Sequence, residues 1–198
     1  MTAGPRERLI DGAIDLVREH GVHGAGLAAL LDRSRASRNS LYQHFPFGKG
    51  ELVEAATVVA GERMSAVIAK VTATGEPAQW LSALTGWWRI GLEASGYRAG
   101  CPIVGAALAE SEPAVQAAAA AAFADWTRRL AHALAGTGMP VERAESLAGF
   151  VVSALEGAII QSRALKSTRP LDDLETTLAP LLRESNRREH PAGSRSDG

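Results

Sequence analysis

Apolar residues recur every three to four positions along nearly the whole chain, and no stretch alternates apolar and polar positions between turn residues. The pattern predicts an all-α fold. A first helix is expected from Pro5 to His20, with Leu9, Ile10, Ala13, Ile14, Leu16 and Val17 on one face and Gly21 as its C-terminal cap. A short helix carrying Leu27, Leu30 and Leu31 follows. After the turn RSRAS, Ser37 can cap another short helix that runs to His44 and is broken by FPFGKG. A long helix then leads from Lys49 to Thr72. Further helices are predicted over Ala78 to Glu93, Pro113 to Ala135, Val141 to Lys166 and Leu171 to Arg187, around a glycine-punctuated stretch from Ser95 to Ser111. These elements divide into a head over 1–48, a helical body over 49–187 and a tail over 188–198 whose composition predicts disorder.

Composition narrows the class. Hydrophobic residues are 46% and charged residues 22% of 198, ordinary for a globular chain with a real core. No apolar run is expected to be long enough for a membrane span, and the N-terminus lacks the pattern of a secretory signal, so a cytoplasmic protein without membrane attachment is expected. The single cysteine, Cys101, cannot form an internal disulfide.

The net charge of −1 conceals an asymmetry. Between Arg33 and Lys49 lie Arg33, Arg35, Arg38 and Lys49 with no acidic residue, and His20, His23 and His44 are close by. A basic segment confined to one end of a neutral chain suits a polyanion partner. On the helix capped by Ser37, positions 38, 39, 42 and 43 share one face spanning about 140°, which presents Arg38, Asn39, Tyr42 and Gln43. Arg favours guanine or phosphate, Asn and Gln pair with adenine, and a tyrosine hydroxyl holds phosphate. Leu41, on the opposite side, would anchor this helix to the Leu27, Leu30 and Leu31 helix in a helix-turn-helix.

The segment SRASRNSLYQHFPFGKGELVEAA, with Leu41, Tyr42, Gln43, His44 and Phe45 at its centre, resembles the recognition helix and the start of the fourth helix in the TetR family of repressors. The strings GCPIVGAALAESE and ALEGAIIQSRALKSTRPLD resemble the family branch represented by LmrA and YxaF. The resemblance implies a three-helix DNA-binding head joined by a long helix to a ligand-binding and dimerisation domain. It implies a homodimer that binds a double-stranded, pseudo-palindromic operator and is released by a small, mostly apolar or aromatic effector. It places Ser37, Tyr42, His44 and Lys49 on phosphates and Arg38, Asn39 and Gln43 near base edges. The family usually has glycine where Arg35 stands. Either the turn is distorted, or Arg35 takes the left-handed conformation at a cost of about 1 kcal/mol and offers its charge to the DNA backbone.

Beyond the head, Trp80, Trp87, Trp88, Phe123, Trp126 and Phe150 are either core or, with Cys101, the lining of an apolar pocket. Phe150, Leu155 and Ile159 on one predicted helix, and Leu174, Leu178 and Leu181 on the next, form stripes that are either internal or a four-helix dimer interface. Two other classes stay open at this point: a helical protein-interaction module without DNA binding, and an enzyme using Cys101. No sequence-adjacent histidine supports the latter, metal-ligand spacing such as His-Glu-x-x-His is absent, and no cofactor is expected.

Overall fold

A computed structural model describes residues 4–187. Among these residues there are nine α-helices and no strand. They are α1 (Pro5–Gly24), α2 (Leu27–Ser34), α3 (Arg38–His44), α4 (Lys49–Thr72), α5 (Pro77–Ala94), α6 (Pro102–Ala107), α7 (Pro113–Ala135), α8 (Val141–Leu165) and α9 (Arg169–Arg187). The tail expected to be disordered, 188–198, lies outside the described residues.

Local chemistry accounts for most boundaries. Proline opens α1, α5, α6 and α7, where its missing N–H costs no helical hydrogen bond. The Ser37 hydroxyl oxygen accepts a hydrogen bond from the Ser40 amide at 3.1 Å and starts α3 as anticipated. Gly21 departs from the expectation. It takes φ +72°, as a cap would, yet helical structure resumes to Gly24 beyond the kink. That extra turn buries Val22 and brings its carbonyl to the Lys49 ammonium, which donates to it at 3.2 Å. The short α6 was not anticipated, because six residues are too few to show a helical period.

The core is continuous from head to body. One cluster of buried side chains joins Leu9, Leu30 and Leu41 of the head to Leu52, Trp88, Trp126 and Ile159. A second surrounds Trp80, Leu134, Ala148 and Leu178 at the far end. Helices α4 and α7 pack tightly at Gly61, where an added Cβ would stand 2.8 Å from the Ala122 Cβ. At the same crossing the Trp126 indole N–H donates to the Gly61 carbonyl at 3.0 Å. Helix α8 corrects one expectation: it is long and apolar enough, by length and composition, to cross a membrane. Here it packs in the bundle against α7 and α9, with Ala144, Ala148, Val151, Leu155 and Ile159 buried.

Candidate DNA-reading surface and adjoining cavity

The reading helix sorts its residues by exposure as its period requires. Arg38, Asn39, Tyr42 and Gln43 are exposed, Ser40 is half-buried and Leu41 is fully buried. Ser37 and Arg35 are also exposed, and His44 is partly covered. Four candidate contacts therefore form one open polar face on a helix pinned from behind by a leucine. Its flanks are fixed as well. Arg35 takes the left-handed conformation, φ 50° and ψ 44°, while its amide bonds to the Asp32 carbonyl and closes α2. Of the two alternatives for this turn, Arg35 itself takes the left-handed conformation. Gly48 is held at φ +82° with the Tyr42 ring beside it, 3.4 Å from where a Cβ would stand. Next to it Phe47 is 90% exposed, its amide donating to the Glu51 carboxylate at 2.8 Å.

Not all of the basic segment is available. The Arg33 guanidinium forms two hydrogen bonds to the Glu19 carboxylate, at 3.0 and 3.2 Å, which hold that carboxyl below its usual range. Arg33 thus closes α2 onto α1. Lys49, at the start of α4, spends one of its three donors on the Val22 carbonyl.

In the body, a cavity of about 150 Å³ opens between α1, α4, α5, α7 and the turn before α6. Trp87, Trp88, Trp126 and Cys101 line it together with Met64 and Ile103. Trp87 is 43% exposed at its outer end, whereas Trp88, Trp126 and Cys101 are buried. Of the other aromatic candidates, Trp80 sits in the second core cluster with its indole N–H on the Thr74 carbonyl at 2.8 Å. Phe123 packs edge-on to Trp126 with ring centroids 5.3 Å apart and faces a separate depression between α7 and α8. Phe150 projects outward, 56% exposed. The structure therefore brings together Trp87, Trp88, Trp126 and Cys101, and leaves Trp80, Phe123 and Phe150 outside that lining.

Further in lies a cavity of about 20 Å³ that shares Met64, Trp88 and Trp126 with the larger one and is also lined by Glu156 of α8. Glu156 was not among the residues singled out from the sequence. It is buried, its Oε2 has no hydrogen-bond partner among the described residues, and burial raises its pKa to about 7, a shift moderated by the hydrogen bond from the Cys101 thiol. Burial, then the Glu156 charge, push the thiol in turn well above its ordinary range. Cys101 is a protonated packing residue and not a nucleophile.

Comparison with known proteins agrees with this geometry. Residues 9–56 match the family model described as bacterial regulatory proteins, tetR family, and residues 77–177 match that of the transcriptional regulator LmrA/YxaF-like C-terminal domain. An uncharacterized HTH-type transcriptional regulator of Mycobacterium tuberculosis is 36% identical over 186 residues, covering 90% of this chain and 94% of the relative. The chain belongs to the TetR family. The HTH-type transcriptional regulator LmrA of Bacillus subtilis is 30% identical over 183 residues, 90% of this chain and 96% of LmrA. A TetR transcriptional regulator from Legionella pneumophila has the same fold, with a TM-score of 0.79 at 18% identity over 91% of this chain and 98% of the other. This is a DNA-binding transcription regulator of the helix-turn-helix type, and it is not an enzyme.

The expected interface residues of this TetR-family chain divide sharply. Leu155, Ile159 and Leu178 are buried within the chain's own core, although Leu178 still borders the groove between α8 and α9. Leu174 is half-buried, whereas Phe150 and Leu181 are exposed. Phe150 and Leu174 line an open apolar groove between α8 and α9, together with Ala154, Gly157 and Leu165.

Proposed function

We propose that this TetR-family chain is a homodimeric repressor that binds a pseudo-palindromic operator and lets go when a small, mostly apolar or aromatic effector occupies the cavity between α4, α5 and α7. The observation that carries the DNA half of the reading is the exposed face of Arg38, Asn39, Tyr42 and Gln43 over a buried Leu41. On this reading Arg38, Asn39 and Gln43 read base edges, while Ser37, Tyr42, His44 and Lys49 hold phosphate and Arg35 adds charge toward the backbone. Ser37 can still donate its hydroxyl hydrogen, and Lys49 keeps two N–H donors beyond the one on Val22. The functional division is a DNA-binding head, 1–48, and an effector and dimerisation body, 49–187, acting in the cytoplasm.

Dimerisation through the groove between α8 and α9 would cover Phe150, Leu165 and Leu181 and place two reading heads on one face of DNA. Release needs a route from cavity to head, and a short set of hydrogen bonds supports one. The Gly100 amide donates to the Arg18 carbonyl at 3.0 Å, and the Arg18 side chain donates back to the Gly100 carbonyl at 3.1 Å. Arg163 of α8 donates to the Glu19 carbonyl of α1 at 3.0 Å and to the Arg98 carbonyl at 2.6 Å. Helix α1 is therefore bonded to the segment beside Cys101, and an effector that favours a second position of that segment shifts the head between two states.

Selection of bound sequences from random duplex DNA tests the proposal. Recovery of an inverted repeat is the expected result. Recovery of no sequence, or of single unpaired half-sites, would overturn the operator reading.

A further inference from the structure

Helix α8 carries an apolar stripe on which Glu156 is the one charged residue turned inside, and the Cys101 thiol satisfies it only in part. Its carboxyl faces Met64 and Ile68 of α4, Leu84 and Trp88 of α5, and Trp126 and Leu130 of α7, with the Cys101 thiol as the polar neighbour that acts on it. Oε2 has no hydrogen-bond partner among the described residues. A carboxyl left in this state costs folding free energy unless something else completes it.

We propose that Glu156 is the anchoring residue of the effector cavity and that it receives the protonated amine of a ligand whose apolar or aromatic body fills the larger cavity beside it. Calling that ligand an effector rests on the ligand-gated reading above; the binding site itself does not. The dimensions agree. A cavity of about 150 Å³ is large enough for a benzene-sized ring, and the inner space of about 20 Å³ next to Glu156 for a head group of ammonium size. Trp88 and Trp126 wall both spaces, and indole faces attract cations. Two arginines also border the larger cavity and would repel a cation at that end. Arg63 is ion-paired to Asp11 at 2.6 Å, and Arg18 is bonded to the Gly100 carbonyl. Neither arginine is among the residues that line the inner space with Glu156. A ligand with its ring outward and its amine inward meets the carboxylate and avoids both.

Three probes with one ring and different heads test this on the full chain: phenethylamine, 2-phenylethanol and phenylacetate, titrated by calorimetry and tryptophan fluorescence. The amine should bind at least about tenfold more tightly than the alcohol, a preference typical of one charge-assisted hydrogen bond. Phenylacetate should bind weakest. Only the ionised carboxylate pairs with the ammonium, so amine affinity should fall by roughly tenfold between pH 8 and pH 6 as the competent fraction falls, while alcohol affinity changes little. Glu156→Gln should erase the preference for amine over alcohol and the pH dependence, yet retain the alcohol. No binding of phenethylamine by the wild type, equal affinities for amine and alcohol, or a preference that survives in Glu156→Gln each overturns the proposal. A gel shift on the selected operator separates the two readings. Amine binding with the stated preference but no release of DNA keeps the Glu156 site and rejects gating; release by ligands indifferent to Glu156 does the reverse.

Discussion

Helices α3 and α8 place their polar chemistry in opposite environments. On α3 the functional side chains face water, and the helix is held by one buried leucine, Leu41. On α8 the distinctive polar group, Glu156, faces inward and is only partly satisfied. Exposed polar groups on a pinned helix are free to form hydrogen bonds with DNA at little cost, because water already satisfies them in the free protein. A buried carboxyl raises the energy of the empty state, and a ligand that completes it recovers that energy. One region is thus built for recognition by display, and the other for recognition by relief of an internal deficit.

The largest expected effect tests the deficit directly. The Glu156 pKa is raised in the folded chain from 4.5 to about 7, so the folded state binds more protons between those values and loses stability as pH rises through the interval. Glu156→Gln should remove that loss. Its unfolding free energy should exceed that of the wild type by roughly 3 kcal/mol above pH 8, since each pKa unit is about 1.4 kcal/mol, and the advantage should vanish near pH 4. Urea titrations across this range check it. A glutamine variant that is less stable at high pH would show that the carboxyl is satisfied after all.

Next come the displayed residues. Arg38→Ala and Gln43→Ala should each cost about 1–3 kcal/mol of operator affinity and relax base preference, with thermal stability unchanged. Lys49→Ala should weaken binding to all sequences and flatten the salt dependence, but its hydrogen bond to Val22 adds a structural component. Equal losses on specific and random DNA for Arg38→Ala would remove it from base reading.

Gly61→Ala probes the scaffold that both regions share. The new methyl would meet Ala122 at 2.8 Å, so α4 and α7 must separate, at a cost of about 1–3 kcal/mol in denaturation. The smallest effect belongs to the turn. Arg35→Gly should relieve left-handed strain and stabilise the chain by up to about 1 kcal/mol, while lowering affinity for DNA of any sequence through the lost charge. An unchanged melting temperature would show that the strain is compensated locally.

The same contrast explains what could be read from sequence. The bounds of α3, α4 and α7 follow from a serine cap, a proline and long helical periods, all local signals, and the reading face follows from α3 alone. The cavity is assembled from α1, α4, α5, α7 and the turn before α6, with α8 lining only the inner space, so no single segment announces it, and Trp80, Phe123 and Phe150 looked equivalent to Trp88 and Trp126 until the chain was folded. Likewise, Leu155 and Ile159 share a stripe with Phe150 although only Phe150 is exposed, because a stripe does not say which of its edges meets another copy. One signal was present and unused. Glu156 falls one position after Leu155 and three before Ile159, within the apolar stripe of its helix. A lone acid at such a position is a candidate for burial, which is uncommon enough for glutamate to single it out.

Helix α4 gives this arrangement a mechanical gain. It touches the cavity at Met64 and enters the head at Lys49, fifteen residues or about 22 Å away along a continuous helix. Used as a lever arm pivoting at the cavity wall, it converts a tilt of about 5° into a displacement of about 2 Å at its far end. In the proposed dimer the two reading heads would swing in opposite senses about a shared axis, so the span between them would change by up to twice that amount.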